Sequence, residues 1–557
     1  MMARSRDYDY IIVGAGSAGC VLAGRLSEDP DVSVLLLEAG DWDQDFWIKI
    51  PLGWGKIFAE RRHDWMYFTN PEPTLDGRSV ECARGKVIGG SSSINAMAYV
   101  RGHRNDYDRW AADGLSQWSY AHVLPYFKRQ ETWEGGPDDY RGGDGPLATC
   151  RSRYADPLVE AYLQAGQAAG HRSNDDYNGA EQEGFGYLQS TIRRGRRCSA
   201  SDAYLRPALR RKNLTVETSA YATSLSFSHT RAIGVQFVQR SGMQSAVARR
   251  EVILAGGCIN TPQLLMLSGI GDPEELGTHD IPVKVPLRGV GKNLRDHFSA
   301  AIEYERKQPG PFQRMMRLDR ISIELAKAYF FGTGFATDLP SGWTGFVKSE
   351  AGKSQPDIQF LFRAVPATAE PYLPPFKDAF ADGFACRAVL IRPESAGFLS
   401  LASRDPSEPI RILQCPLATE ADRRALRQGI RLAYELGRQT PVEPFIGRMR
   451  TSITGQSSDG ELDAFIRSTA QTAHHPLGTC KMGPDGDADA VVDSELRVRG
   501  VEGLRVVDAS VIPDAIGGNI NAAVIMIAER ASDLIRGRTP LSPAKLPPRS
   551  TGPGIFR

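Results

Sequence analysis

Apolar and polar positions along the chain fall into a few recurring patterns. A β-rich apolar run over residues 8–13 leads into Gly14-Ala15-Gly16-Ser17-Ala18-Gly19, followed by an apolar helical stretch over 20–26. Residues 32–37 form the next apolar run, uncharged and ended by Glu38. Such a run fits a parallel strand buried on both faces, so the pattern predicts a βαβ unit. Pieces of the same domain return later. Residues 251–254 predict a strand running into Ala255-Gly256-Gly257 and a helix opening near Thr261-Pro262, where Pro suits a first turn. Residues 504–507 predict another strand, ending at Asp508, and 522–535 an apolar-faced helix. Two long interruptions lie between these returns. The second alternates strands (357–362, 388–392, 398–401) with a helical pattern over 321–331, which predicts an antiparallel sheet carrying helices.

With 557 residues, 41% of them hydrophobic, the chain can bury a large core and form two or three domains. A net charge of +1 gives no field that would draw it to nucleic acid or an acidic membrane. The eight cysteines are scattered without a CxxC pair, so neither a zinc site nor a disulfide framework is expected and a reducing cytoplasm is. Residues 11–26 follow Arg4 and Arg6 and could pass for a signal peptide. The spaced glycines and the lack of a cleavage site favour strand, turn and helix instead. No apolar run reaches the roughly 18 residues of a membrane span, which leaves only peripheral contact with the inner membrane open. The Pro-, Ser- and Gly-rich end, 539–557, is expected to be disordered.

A lone GxGxxG is a weak signal, but here it follows a strand, opens a helix, and precedes a second strand ending in an acidic residue. Gly14, Gly16 and Gly19, with Ser17 and Ala18, let the backbone approach a pyrophosphate at the helix N-terminus. Glu38 accepts hydrogen bonds from ribose hydroxyls and would repel a 2′-phosphate, so FAD or NAD is favoured over NADP.

Four further motifs decide between these. They are Arg84-Gly85-Lys86-Val87-Ile88-Gly89-Gly90-Ser91-Ser92-Ser93-Ile94-Asn95, extended as far as Asp108, and the segment from Gly257 to Gly271; His474-His475-Pro476-Leu477-Gly478-Thr479; and Asp508-Ala509-Ser510 with Asn519-Ile520-Asn521. In these the sequence resembles the glucose–methanol–choline (GMC) oxidoreductases over residues 8–535, and within them the bacterial choline-dehydrogenase-like alcohol dehydrogenases. The one departure in the second motif is Cys258, where the family usually has a smaller residue such as Ala, Ser, Thr or Pro.

The resemblance implies an α/β (overall α+β) chain: a Rossmann-like FAD-binding domain with a discontinuous substrate domain built on an antiparallel sheet with helices. FAD-binding pieces are expected at 1–154, 211–299 and 466–538, and substrate-domain pieces at 155–210 and 300–465. Beyond the first glycine loop, the expected FAD contacts are Ala39, Trp65, Arg84, Gly85, Val87 and Gly89. Gly90, Ser91, Asn95, Met97 and Ala222 continue them, with Asp508, Ala509 and Asn519 from the C-terminal part. Ile94 stands where some relatives attach the flavin through a His, so FAD should be non-covalent and no metal is involved.

Taking hydride from an alcohol carbon needs a base at the hydroxyl, and a His titrates near working pH. His475 occupies the family's catalytic position and Asn521 the second one, where its amide is expected to donate a hydrogen bond to the substrate oxygen. His474 is expected to pack, with a direct place in the substrate pocket beside Trp343 and Phe335 as the alternative. Gly342 is taken for the position where choline-handling relatives carry a Glu, with Trp343 beside it and Phe335 nearby in an aromatic stretch. That points to an aromatic or long aliphatic alcohol rather than choline. Electrons would pass to a quinone or dye; an oxidase using oxygen and a non-redox relative such as a lyase are the alternatives.

Overall fold

The computed structural model describes residues 6–546. Its first layer is a seven-stranded sheet. Strand Arg6–Val13 lies between Val34–Leu37 and Gly242–Leu254, all parallel, and Leu214–Glu217 and Leu504–Val506 extend the sheet on either side. The four residues of Val34–Leu37 are all buried, as an uninterrupted apolar run requires. Gly242–Leu254 does two jobs. Its second half pairs in parallel with the nucleotide-binding strand, while its first half turns back on Arg231–Gln239 in an antiparallel hairpin.

The second layer is antiparallel. Phe298–Arg306, Gly383–Leu390, Ile358–Arg363, Trp343–Val347 and Gly184–Tyr187 pair in that order. Side chains alternate across it. Ile302, Cys386 and Phe360 pack with Leu426 and Ile430 of the helix Glu420–Gly437 in the core of this domain. Ala301, Glu303, Leu361, Arg363, Ala385 and Arg387 line a cavity on the other side.

Several sequence expectations shift. The helix after Gly256 begins at Gly257, so Pro262 is its sixth residue and not part of its first turn. The carbonyl that Pro262 leaves without a backbone donor, that of Cys258, accepts a hydrogen bond from Thr479 Oγ1 at 2.6 Å. Phe398–Ser400 forms a separate ribbon with Arg411–Leu413 and does not join the large sheet. Of the expected disordered end, 547–557 lie outside the described residues, but 541–546 are packed. The amides of Leu541 and Ala544 bond to Tyr126 Oη and the Ala121 carbonyl, and Leu541, Ala544 and Leu546 rest on the core. Among the described residues, no helix is long and apolar enough to cross a membrane.

The helices Ser17–Leu26 and Asn521–Ile535 are joined through a buried carboxylate. Glu529, fully buried, pairs with Arg25 at 2.8 Å and Arg129 at 2.9 Å, and accepts from Tyr204 Oη at 2.7 Å. Glu529→Ala removes the carboxylate shared by two guanidiniums, each about a quarter exposed, although Arg25 keeps Glu28 and Arg129 keeps Asp533. The loss should fall near the low end of the range for a broken buried pair, about 3 kcal/mol. Urea unfolding should show a clearly lower midpoint, and an unchanged midpoint would show that the cluster contributes nothing.

Candidate active site

A cavity of about 1530 Å³ lies between the two sheets. At one end is the first glycine loop. Gly14 has φ +100°, and a Cβ there would lie 2.6 Å from the Ala255 carbonyl oxygen, so only glycine fits. Gly16, Ser17 and Ala18 open into the cavity at the helix N-terminus; Gly19 does not, because it packs against the carbonyl of Gly14. Glu38 also lines the cavity. Its Oε2 accepts from the Ala15 amide and its Oε1 from the Gly40 amide, both at 2.8 Å. Burial pushes its carboxyl up to about 7. Each oxygen keeps a further lone pair for a ribose hydroxyl.

The second glycine loop packs on the first: a Cβ at Gly90, where φ is +53°, would lie 2.7 Å from Gly16 Cα. Ala39, Trp65, Arg84, Gly85, Gly90, Ser91, Asn95, Met97 and Ala222 line the cavity, as does Ile94. Val87 and Gly89 do not. Val87 is buried against Ile48 and Ile57, and the Gly89 amide donates to the Ala15 carbonyl at 2.7 Å, so both brace the loops from behind. Asp508 and Ala509 reach the cavity from the end of Leu504–Val506. Asp508 Oδ2 accepts from the Gly257 amide and Thr261 Oγ1, tying that strand end to the start of the helix Gly257–Leu267. These features suit FAD: a helix N-terminus, a cavity-lining carboxylate and a close approach of glycine loops, all on one cavity.

His475 stands further along the cavity. Its Nε2 is 3.0 Å from Asn519 Nδ2, and its Nδ1 is 3.0 Å from His297 Nδ1. Asn521, expected at the substrate oxygen beside His475, is elsewhere: its Oδ1 accepts from Ser17 Oγ at 2.7 Å, at the first glycine loop. The two asparagines thus exchange the expected placements. Asn521 opens the helix Asn521–Ile535 beside the glycine loop, whereas Asn519, in the turn before it, points to the histidine. Burial, His297 and Arg84 hold the His475 imidazole well below its usual range, and burial takes His297 to about 4. Both rings are therefore neutral near pH 7.

His474 also lines the cavity, with φ +61° and its ring edge-on to Phe58 at 5.6 Å. Trp343 and Phe335 do not reach it. Trp343 is fully buried among Tyr162 and Phe362, and Phe335 packs on Tyr154 and Phe312. The cavity's aromatic faces near His474 are Trp54 and Phe58, with Phe312 and Phe362 across it. Charged side chains missed in the sequence are Glu303, Arg363 and Arg387, which become neighbours only through strand register. His297 was also missed; the signal was an Asp-His pair placed directly before an apolar strand.

Glu38→Gln preserves shape but turns an amide N–H₂ toward one of two backbone N–H groups. The lost charge-assisted bonds, about 1.5–3 kcal/mol, predict FAD binding about 10-fold or more weaker by equilibrium dialysis. Unchanged affinity would remove Glu38 from the cofactor site.

Residues 8–299 and 393–528 match the N- and C-terminal family models described as GMC oxidoreductase. Mouse mitochondrial choline dehydrogenase is 42% identical over 97% of this chain and 91% of its own length. An oxygen-dependent choline dehydrogenase of Chromohalobacter salexigens is 43% identical over 98% of both. A solved pyridoxine 4-oxidase from Mesorbium loti superposes with a TM-score of 0.85 at 30% identity, covering 96% of this chain and 100% of that one. An FAD-bearing formate oxidase of Aspergillus oryzae gives 0.86 at 28%, covering 96% and 99%. The choline dehydrogenases overturn the expectation of an aromatic or long aliphatic alcohol in place of choline. That expectation rested on Gly342, whose Cβ would meet Val159 in the domain core and not the cavity. The chain belongs to the GMC oxidoreductase family and is an FAD-dependent alcohol oxidoreductase.

Proposed function

We propose that this protein oxidises choline to its aldehyde and passes the electrons to a quinone-like acceptor. The reading is carried by the His475–Asn519 pair on the cavity, in a chain that resembles choline dehydrogenases along almost its whole length. FAD, held without a covalent link, supplies the hydride acceptor.

The hydrogen bonds define the tautomers. Gln359 Nε2 donates to Asn519 Oδ1 at 3.3 Å, which turns the Asn519 amide N–H₂ toward His475 Nε2. Nε2 is therefore the acceptor, and His475 carries its proton on Nδ1, donated to His297 Nδ1. The lone pair on Nε2 is the one that takes the substrate's hydroxyl proton. Asn519 then donates to the alkoxide oxygen as charge grows there. The Asp296 carboxylate accepts from the His475 amide at 2.8 Å and fixes the loop. For the trimethylammonium group, Trp54 and Phe58 offer cation–π faces on the same cavity, and Glu303 a carboxylate that it shares with Arg363 at 3.4 Å.

Anaerobic mixing with choline should bleach the flavin, and reoxidation should be faster with a soluble quinone than with oxygen. Bleaching by benzyl alcohol or long alkanols without bleaching by choline would overturn the substrate; faster reoxidation by oxygen, with peroxide formed, would overturn the acceptor.

His475→Ala should slow flavin reduction by about 10²–10⁴-fold with flavin retained. Asn519→Ala should cost less, and Asn521→Ala should weaken FAD retention and spare the chemical step. Because the His475 pKa is depressed, the reactive neutral form persists as pH falls. Wild-type reduction should stay flat from about pH 8 to 6.5, the ordinary His value, and decline only below that. A decline centred at or above 6.5, or a wild-type rate in His475→Ala, would contradict the assignment.

A further inference from the structure

The antiparallel sheet brings two guanidiniums to the cavity but one carboxylate. Arg363 stands opposite Ala385, and Arg387 lies two residues along the same strand as Ala385, so the two arginines are diagonal neighbours on one face. Glu303 is opposite Ala385 from the other side. All three line the cavity. Like charges so placed cost stability unless something negative stands between them.

The carboxylate is already engaged. Glu303 Oε1 accepts from Arg363 Nη2 at 3.4 Å. Arg387 has no ion-pair partner among the described residues, and its one side-chain hydrogen bond there runs from Nη2 to the neutral Gln471 Oε1 at 3.1 Å. Burial and the Arg363 charge lower the Arg387 pKa to about 10, which still leaves it a cation near pH 7. A desolvated guanidinium that faces an amide and a second guanidinium lacks the partner a buried charge needs. Arg387 is also close to the catalytic loop. Gln471 pairs with Ser299 three residues before His474, and burial, Arg84 and Arg387 together lower the His474 imidazole pKa.

Choline meets Glu303 but adds a further positive charge and leaves Arg387 unanswered. An alcohol that carries a carboxylate supplies the missing charge, and the flat guanidinium fork can grip both carboxylate oxygens. We propose that Arg387, with Arg363 beside it, is a carboxylate subsite, and that the chamber oxidises short hydroxycarboxylates at a primary carbinol as well as choline. The bonds broken are the carbinol C–H and O–H, as for choline. The proton goes to His475 Nε2, the hydride to the bound cofactor, and the carboxylate is unchanged in an aldehyde product. The proposal takes the His475 chemistry from the function proposed above and does not depend on choline being a substrate.

The FAD-loaded full chain is mixed anaerobically with β-hydroxypropionate or γ-hydroxybutyrate, with their methyl esters as neutral counterparts, and with choline. Each carboxylate should half-saturate flavin bleaching at a concentration at least about tenfold below that of its ester, the effect of a hydrogen bond to a charged group. In Arg387→Met that preference should vanish, while choline should be held at least as tightly because a repelling cation is gone. Arg387→Lys keeps the charge without the fork and should fall between. No preference for carboxylate over ester in wild type would overturn the proposal. So would equal loss of hydroxycarboxylate and choline in Arg387→Met, because Arg387 would then only prop the chamber. Bleaching by choline alone would overturn the subsite and leave the choline reading standing; bleaching by hydroxycarboxylates alone would do the reverse. If neither bleaches, the His475 chemistry is at fault, and spectral titration of the oxidised flavin tests the subsite by itself. Carboxylate binding that Arg387→Met abolishes would then uphold the subsite, and no binding would overturn it.

Discussion

Asp296 accepts hydrogen bonds from the backbone amides of His297 and His475, from the Thr472 hydroxyl and from the Gln414 side chain. It is nearly buried, and burial pushes its carboxyl up to about 6, so four donors are needed to hold a charge there near neutral pH. One carboxylate thereby fastens the start of the Phe298–Arg306 strand to the His474–His475 loop. Strand and loop come from parts of the chain nearly two hundred residues apart, and the distance between the two histidine rings depends on this junction.

The rest of the architecture serves to bring two unlike walls to that junction. The parallel sheet presents strand ends and helix N-termini, which suit a long anionic cofactor. The antiparallel sheet buries one face under the helix Glu420–Gly437 and gives its other face to the cavity. Glu303, Arg363 and Arg387 stand among small and apolar side chains there, so the polarity of the substrate chamber is set by strand register. A shift of one residue in Phe298–Arg306 would bury Glu303 and expose Ile302.

The cofactor half was legible in the sequence because its signals are local. The glycine loop, the following helix, the buried run 34–37 and Glu38 lie within thirty residues of each other and act together. The substrate half was less so. Gly342 and Trp343 read as pocket residues because they neighbour an aromatic stretch, yet Trp343 is buried on Tyr162 and Phe362 and a Cβ on Gly342, just before the strand, would meet Val159. The two asparagines of Asn519-Ile520-Asn521 could not be told apart from composition. The turn before the last helix sends one to the histidine and the other to the glycine loop. Phe58 and Trp54, on a short helix far from the catalytic loop in sequence, carried no signal of closeness to His474.

The central claim is that His475 Nε2 is the proton acceptor for the substrate hydroxyl. Its most direct test is chemical rescue: anaerobic flavin reduction by choline in His475→Ala, measured with and without added imidazole. The account predicts a slow reaction that accelerates with imidazole concentration and follows the fraction of neutral imidazole as pH is changed. A variant that reduces its flavin at the wild-type rate without imidazole would contradict it.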